Sequence, residues 1–130
     1  MTDSLIKALA YNNEIRVSVI DATDMVEEGR RLHDTWSTAT AALGRTMIGT
    51  TLLGATLKNE NDALTVRVQG DGPIGHIIAD SNMYGQTKAY VENPHISLEL
   101  NEKGKLDVKG AVGTNGALTV SKDQGLKTPF

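Results

Sequence analysis

Three glycines stand where a phosphate could sit. Gly70, Gly72 and Gly75, in QGDGPIG, match the G-x-G-x-x-G spacing of a dinucleotide-binding turn, and LTVRVQ before them reads as a strand. That chemistry needs a helix directly after the glycines, because its first amides and its dipole hold the pyrophosphate. Pro73 and then IGHIIAD follow instead, a stretch too short and too rich in isoleucine for a helix. Asp71-Gly72 between two apolar runs is a hairpin signal. The spacing therefore predicts a structural turn, and a phosphate-binding enzyme is the reading it displaces.

The remaining chemistry-bearing residues are sparse. His33, His76 and His95 are the histidines, and none stands at metal-ligand spacing from another histidine or a carboxylate. His76 falls mid-strand, where a satisfied structural histidine is the ordinary role. No G-x-S-x-G is present to form a hydrolase elbow. Asp21 and Asp24 make a carboxylate pair by spacing, but Asp24 is better explained as a helix cap. The chain has no cysteine, so disulfides and thiolate metal sites are excluded within it. No catalytic residues are assigned, no cofactor-binding residues are assigned, and a non-enzymatic protein is expected.

The elements that would position these groups follow from periodicity. ALAYNNEIRVSVID predicts a hairpin turning at Asn12 and Asn13, with Ile15, Val17 and Val19 alternating against Arg16 and Ser18. DMVEEGRRLHD predicts a short helix over Met25–His33, with Asp24 and Glu27 as its capping box. TWSTATAALGRTMIGTTLLGATLK predicts a long, largely buried helix. Its apolar positions run Trp36, Ala39, Leu43, Met47, Leu53 and Leu57, and Gly44, Gly49 and Gly54 let neighbours approach closely. Strands are expected at LTVRVQ, IGHIIAD and QTKAYVE, with SNMYG turning between the last two. ISLEL and KLDVKG are expected as strands flanking the turn NEKG, and GALTVSKD as one more. GLKTPF closes nothing. This is an α+β pattern of antiparallel sheets packed on a long central helix plus a short helix.

A turn centred on Asp71-Gly72 sets Gln69 opposite Ile74, Arg67 opposite His76 and Thr65 opposite Ile78. Val66, Val68, Ile77 and Ala79 then share one face, suited to the long helix. The other face carries Thr65, Arg67, Gln69, Ile74, His76 and Ile78, and Tyr90 and Lys88 have the parity to join it. A mixed face of this kind is either covered or used to bind something apolar.

The whole chain bounds these readings. Its 130 residues suit one domain. A net charge of −3 with both signs dispersed argues against a nucleic-acid partner. No apolar run is long enough to span a membrane. MTDSLIKAL lacks the basic and apolar regions of a secretory signal, so a cytoplasmic location is expected.

The order of segments carries a further likeness. TATAALGRTMIGTTLLGATLK, VRVQGDGPIGHIIAD, TKAYVENP and GTNGALTVSKDQGLKTPF together resemble the amino-terminal core of the redox-regulated chaperone family heat shock protein 33. GDGP followed by G-x-L-T-V-x-K-D is the most specific part. The resemblance implies an ATP-independent holdase of the bacterial cytosol that binds unfolding client proteins and prevents aggregation under oxidative or heat stress. It also implies zinc held by four cysteines near the carboxyl end, a linker lying over a sheet platform, and an active dimer.

This sequence departs from that pattern in having no cysteine, so no zinc ligand is carried over and the redox switch has no parts here. The family core is longer, and residues 1–130 are expected to be a truncated amino-terminal core domain. On this reading Ile74, His76, Ile78 and Tyr90 are the candidate client-binding surface. The partners expected are unfolded client proteins, and open sheet edges predict a homodimer or higher oligomer. A folded but inert fragment is the rival reading.

Overall fold

Alternating apolar residues open the chain with a pair of strands. In the computed structural model, which describes residues 3–125, β1 (Ser4–Ala10) and β2 (Ile15–Asp21) run antiparallel with Ala10 opposite Ile15. Asn12 and Asn13 both adopt positive φ in the turn, as their type predicts, and Tyr11 joins them. GLKTPF falls, from Leu126 onward, outside the described residues.

The short helix α1 (Thr23–His33) begins earlier than the sequence reading placed it, and its cap differs. Asp24 lies inside the first turn and caps nothing. The carboxylate of Asp3 accepts instead, from the Asp24 amide at 2.9 Å and the Met25 amide at 2.8 Å. Glu27, the other half of the expected box, is engaged by Arg30, and Glu28 by Arg31.

The long helix α2 (Ser37–Gly54) is the centre of the molecule. Ala39, Leu43 and Met47 are buried on it as the periodicity requires, but Trp36 and Leu53 are 52% and 42% exposed. Threonines fill the buried face in their place. Thr50 donates to the Thr46 carbonyl and Thr51 to the Met47 carbonyl, so their hydroxyls enter the core already satisfied. Gly44 lies against Val26 and Gly54 against Ser81, where a Cβ would collide, whereas Gly49 faces open space.

Beyond α2 the chain forms β3 (Ala63–Gln69), β4 (His76–Ser81), β5 (Thr87–Val91), the short helix α3 (Val108–Val112) and β6 (Ala117–Asp123). The four strands make one antiparallel sheet in the order β5-β4-β3-β6. Its inner face, with Leu64, Val66, Ile77 and Val91, packs on α2; Leu43, Leu64, Ile74 and Ile77 are almost completely buried. Each such side chain contributes about 1.5–3 kcal/mol relative to exposure.

ISLEL and KLDVKG do not pair as strands. ISLEL runs along the start of α2 and spends its backbone groups there. The Trp36 amide donates to the Pro94 carbonyl at 3.0 Å and the Ala39 amide to the Ile96 carbonyl at 3.1 Å. The Leu98 amide in turn donates to Thr38 Oγ1 at 2.9 Å. Trp36 supplies no side-chain cap, so this segment satisfies amides that the helix end leaves open. NEKG is a turn, as expected, closed by the Asn101 side chain accepting from the Lys103 and Lys105 amides. KLDVKG then enters α3, because Asp107 accepts from the Gly110 amide at 2.9 Å and caps it.

Candidate functional site

The glycine segment is a connection between β3 and β4, with no helix behind it. Its amides are consumed within the fold: Gly72 donates to the Val112 carbonyl at 3.0 Å and Ile74 to the Ala111 carbonyl at 3.1 Å. Asp71 Oδ1 accepts from the Thr114 and Asn115 amides at 3.1 and 3.3 Å. The loop thus lies against the end of α3, and a Cβ on Gly72 would run into the Ala111 carbonyl. Phosphate would meet a carboxylate there and find these amides already bonded.

This packing also changes the register. Gln69 pairs with His76, Arg67 with Ile78 and Thr65 with Asp80, so the loop spans 70–75 and each partner lies two residues beyond the expected one. The parity survives, and the two faces keep their members with one exception. Ile74 leaves the mixed face entirely. It sits in the loop, fully buried against Ala39, Leu43 and Ala111. Pro73 has no N–H for a ladder, and α3 draws the following residue inward. Ile74 is therefore a core residue and no part of an exposed surface.

The outer face of the sheet brings the other three together. Ile78 stands between Arg67 on β3 and Tyr90 on β5, each directly opposite it. Ile78 is half-buried and Tyr90 is 50% exposed. His76 lies beside Tyr90, ring centroids 5.7 Å apart, and its Nδ1 is 3.1 Å from the Glu92 carboxylate. Thr65 donates to Asp80 at 2.6 Å, and Arg67 to Gln69 at 2.5 Å. The result is an apolar pair, Ile78 on β4 and Tyr90 on the edge strand β5, flanked by hydrogen-bonding groups. α2 covers the opposite side of the sheet.

Glu92 is the member that the sequence reading omitted. It has the same parity as Lys88 and Tyr90 in QTKAYVE, and extending that alternation by one step would have found it. The other histidines are elsewhere: His95 stacks on Trp36 at 5.1 Å and approaches Asp34, near the start of α2, and His33 ends α1.

The chemistry available is recognition by shape and hydrogen bonding. No nucleophile lies beside the His76–Glu92 pair in the described hydrogen bonds. Zinc, which the family resemblance brings with it, finds no fit in these residues. The sequence has no cysteine, and among the described residues no three of His, Asp or Glu come together around a common point. Among them, too, no helix is long and apolar enough to cross a membrane.

Comparison with known proteins places this geometry. The family model described as Hsp33 protein matches residues 3–130. A 33 kDa chaperonin of Enterococcus faecalis is 61% identical over 130 residues, which cover 100% of this chain and 43% of that protein. The 33 kDa chaperonin of Bacillus subtilis is 56% identical over 128 residues, covering 98% of this chain and 44% of its own length. The crystal structure of the 33 kDa chaperonin of Thermotoga maritima, a heat shock protein 33 homolog, superposes with a TM-score of 0.90 at 40% identity. It covers 95% of this chain and 42% of the solved one. The chain therefore spans less than half the length of these relatives.

Proposed function

This chain belongs to the Hsp33 family, and from that premise we propose that it is a chaperone core which holds unfolding polypeptides on the outer face of its four-stranded sheet without using ATP. The observation that carries the reading is the pairing of Ile78 on β4 with Tyr90 on the edge strand β5, on a face whose other side is packed core. An unfolding chain presents aliphatic and aromatic side chains together with unpaired backbone groups. Ile78 and Tyr90 meet the first, and Arg67, Gln69, Asp80 and Lys88 meet the second. A flat, mixed face of this kind selects for exposed apolar segments rather than for one sequence.

Oxidation has no thiol to act on in residues 1–130. The cytoplasm is the location that this reading assigns. The sheet edges supply a route to self-association: β6 carries Leu118 and Val120, 65% and 40% exposed, along a strand that is unpaired on its outer side among the described residues. A homodimer or higher oligomer through β6 follows.

Light scattering from a thermally aggregating client, with ATP omitted, tests the function. The wild-type chain is expected to suppress aggregation. Ile78→Asp replaces a buried-on-binding side chain worth about 1.5–3 kcal/mol, which weakens the client complex roughly tenfold or more. A folded Ile78→Asp variant with undiminished suppression would remove the sheet face from the mechanism and favour the inert reading.

A further inference from the structure

The hairpin of β1 and β2 has two unlike faces. Register puts Ile6 opposite Val19, Ala8 opposite Val17 and Ala10 opposite Ile15, an aliphatic face along most of its length. Ile6, Val19, Ile15 and Val17 are 62%, 59%, 44% and 42% exposed. The reverse face carries Lys7, Leu9, Arg16 and Ser18 and borders a cleft of about 690 Å³ against the carboxyl-terminal end of α2. Leu57 and Lys58 complete its wall. That volume is within the roughly 300–1,000 Å³ common for binding clefts.

Charge in the cleft has one sign. Lys7, Arg16 and Lys58 line it and no carboxylate does. Lys7 Nζ donates to the Ala55 carbonyl at 2.7 Å, which fixes the ammonium at the mouth and leaves it further protons to donate. Arg16 and Lys58 are exposed, and neither takes part in an ion pair among the described residues. Among the described residues each strand pairs only with the other, so both outer edges of this sheet are open there along their backbone.

We propose that this hairpin is a second, separate docking surface, which takes an extended segment of another polypeptide in which acidic and aliphatic residues alternate. A strand added to an open edge directs successive side chains to opposite faces. Aliphatic residues at one parity then join Ile6, Val17 and Val19. Carboxylates at the other parity meet Lys7, Arg16 and Lys58 in the cleft. Charge decides against a second copy of the hairpin as occupant. On the cleft side its own strands bear Leu5, Lys7 and Leu9 and Arg16, Ser18 and Ile20, so a second copy would bring no carboxylate to the cations there.

The inference does not depend on the sheet face around Ile78. Fluorescence anisotropy with a labelled synthetic peptide of alternating valine and glutamate tests it, against a peptide of alternating valine and lysine, at low ionic strength. The acidic peptide is expected to bind at least about tenfold more tightly than the basic one, with added salt weakening it. Replacing both exposed cations, Arg16→Glu with Lys58→Glu, is expected to lower affinity for the acidic peptide about tenfold, and the uncharged change Ile6→Ser to lower it through the other face. Ile78→Asp should leave this affinity unchanged, which separates the two surfaces. Equal binding of both peptides, or binding of neither, overturns the proposal using the unaltered protein alone. So does a hairpin-dependent dimer in sedimentation that Ile6→Lys abolishes, since it would assign the face to a second copy.

Discussion

Single side chains in this molecule act chiefly by what they leave satisfied. Glu27 is held below the ordinary carboxylate range, first by its hydrogen bond from Arg30, and Glu28 likewise by Arg31. A carboxyl lowered on folding contributes stability that is present above its unfolded value and is lost as pH falls through its folded one. The contribution of both pairs to α1 should therefore hold from neutral pH to about 4 and fade below it. Carboxyl-carbon chemical shifts followed through an acid titration check this. Arg30→Gln should return the Glu27 midpoint to the ordinary range, while that of Glu28 stays low. The pairs are exposed, so the effect on global stability is small.

Elements here hold one another by bonds that no periodicity announces. The start of α2 is closed by the ISLEL segment, and Thr38, fully buried, is the side chain that accepts the Leu98 amide. Thr38→Val keeps the shape and removes the acceptor. It should cost about 1–3 kcal/mol in a denaturant titration, because a buried amide is left unpaired. The six strands that form, both main helices and the identity of the two sheet faces were legible in the sequence, whereas ISLEL and KLDVKG were expected as strands and are not. The β3–β4 register was not, because the 70–75 loop is shaped by α3, which lies far along the chain. The same distance hid the Asp3 cap of α1: local spacing offered Asp24, and the real acceptor comes from residues before β1. ISLEL alternates as a strand should, yet the backbone bonds that a ladder would need go to α2. Within the candidate site, parity placed His76, Ile78 and Tyr90 correctly on one face. It failed for Ile74 because a loop residue obeys no strand parity.

At the scale of the molecule, the described residues leave the edge strands of both sheets open. β6 exposes Leu118 and Val120, the hairpin exposes its aliphatic face, and the outer face of the larger sheet exposes Tyr90 on its edge strand β5. Sedimentation velocity at rising concentration is expected to show a dimer or larger species, and Leu118→Lys should shift it toward the monomer. A wild-type monomer throughout would end the case for association through β6.

The central claim is that clients are held across the Ile78–Tyr90 strip. A photocrosslinking residue placed at position 90, mixed with a client during its thermal unfolding, measures this directly. The account predicts an adduct at position 90 that exceeds one made from position 28 on α1 and disappears when the client is kept native. Equal adducts from both positions, or none from position 90, would contradict it.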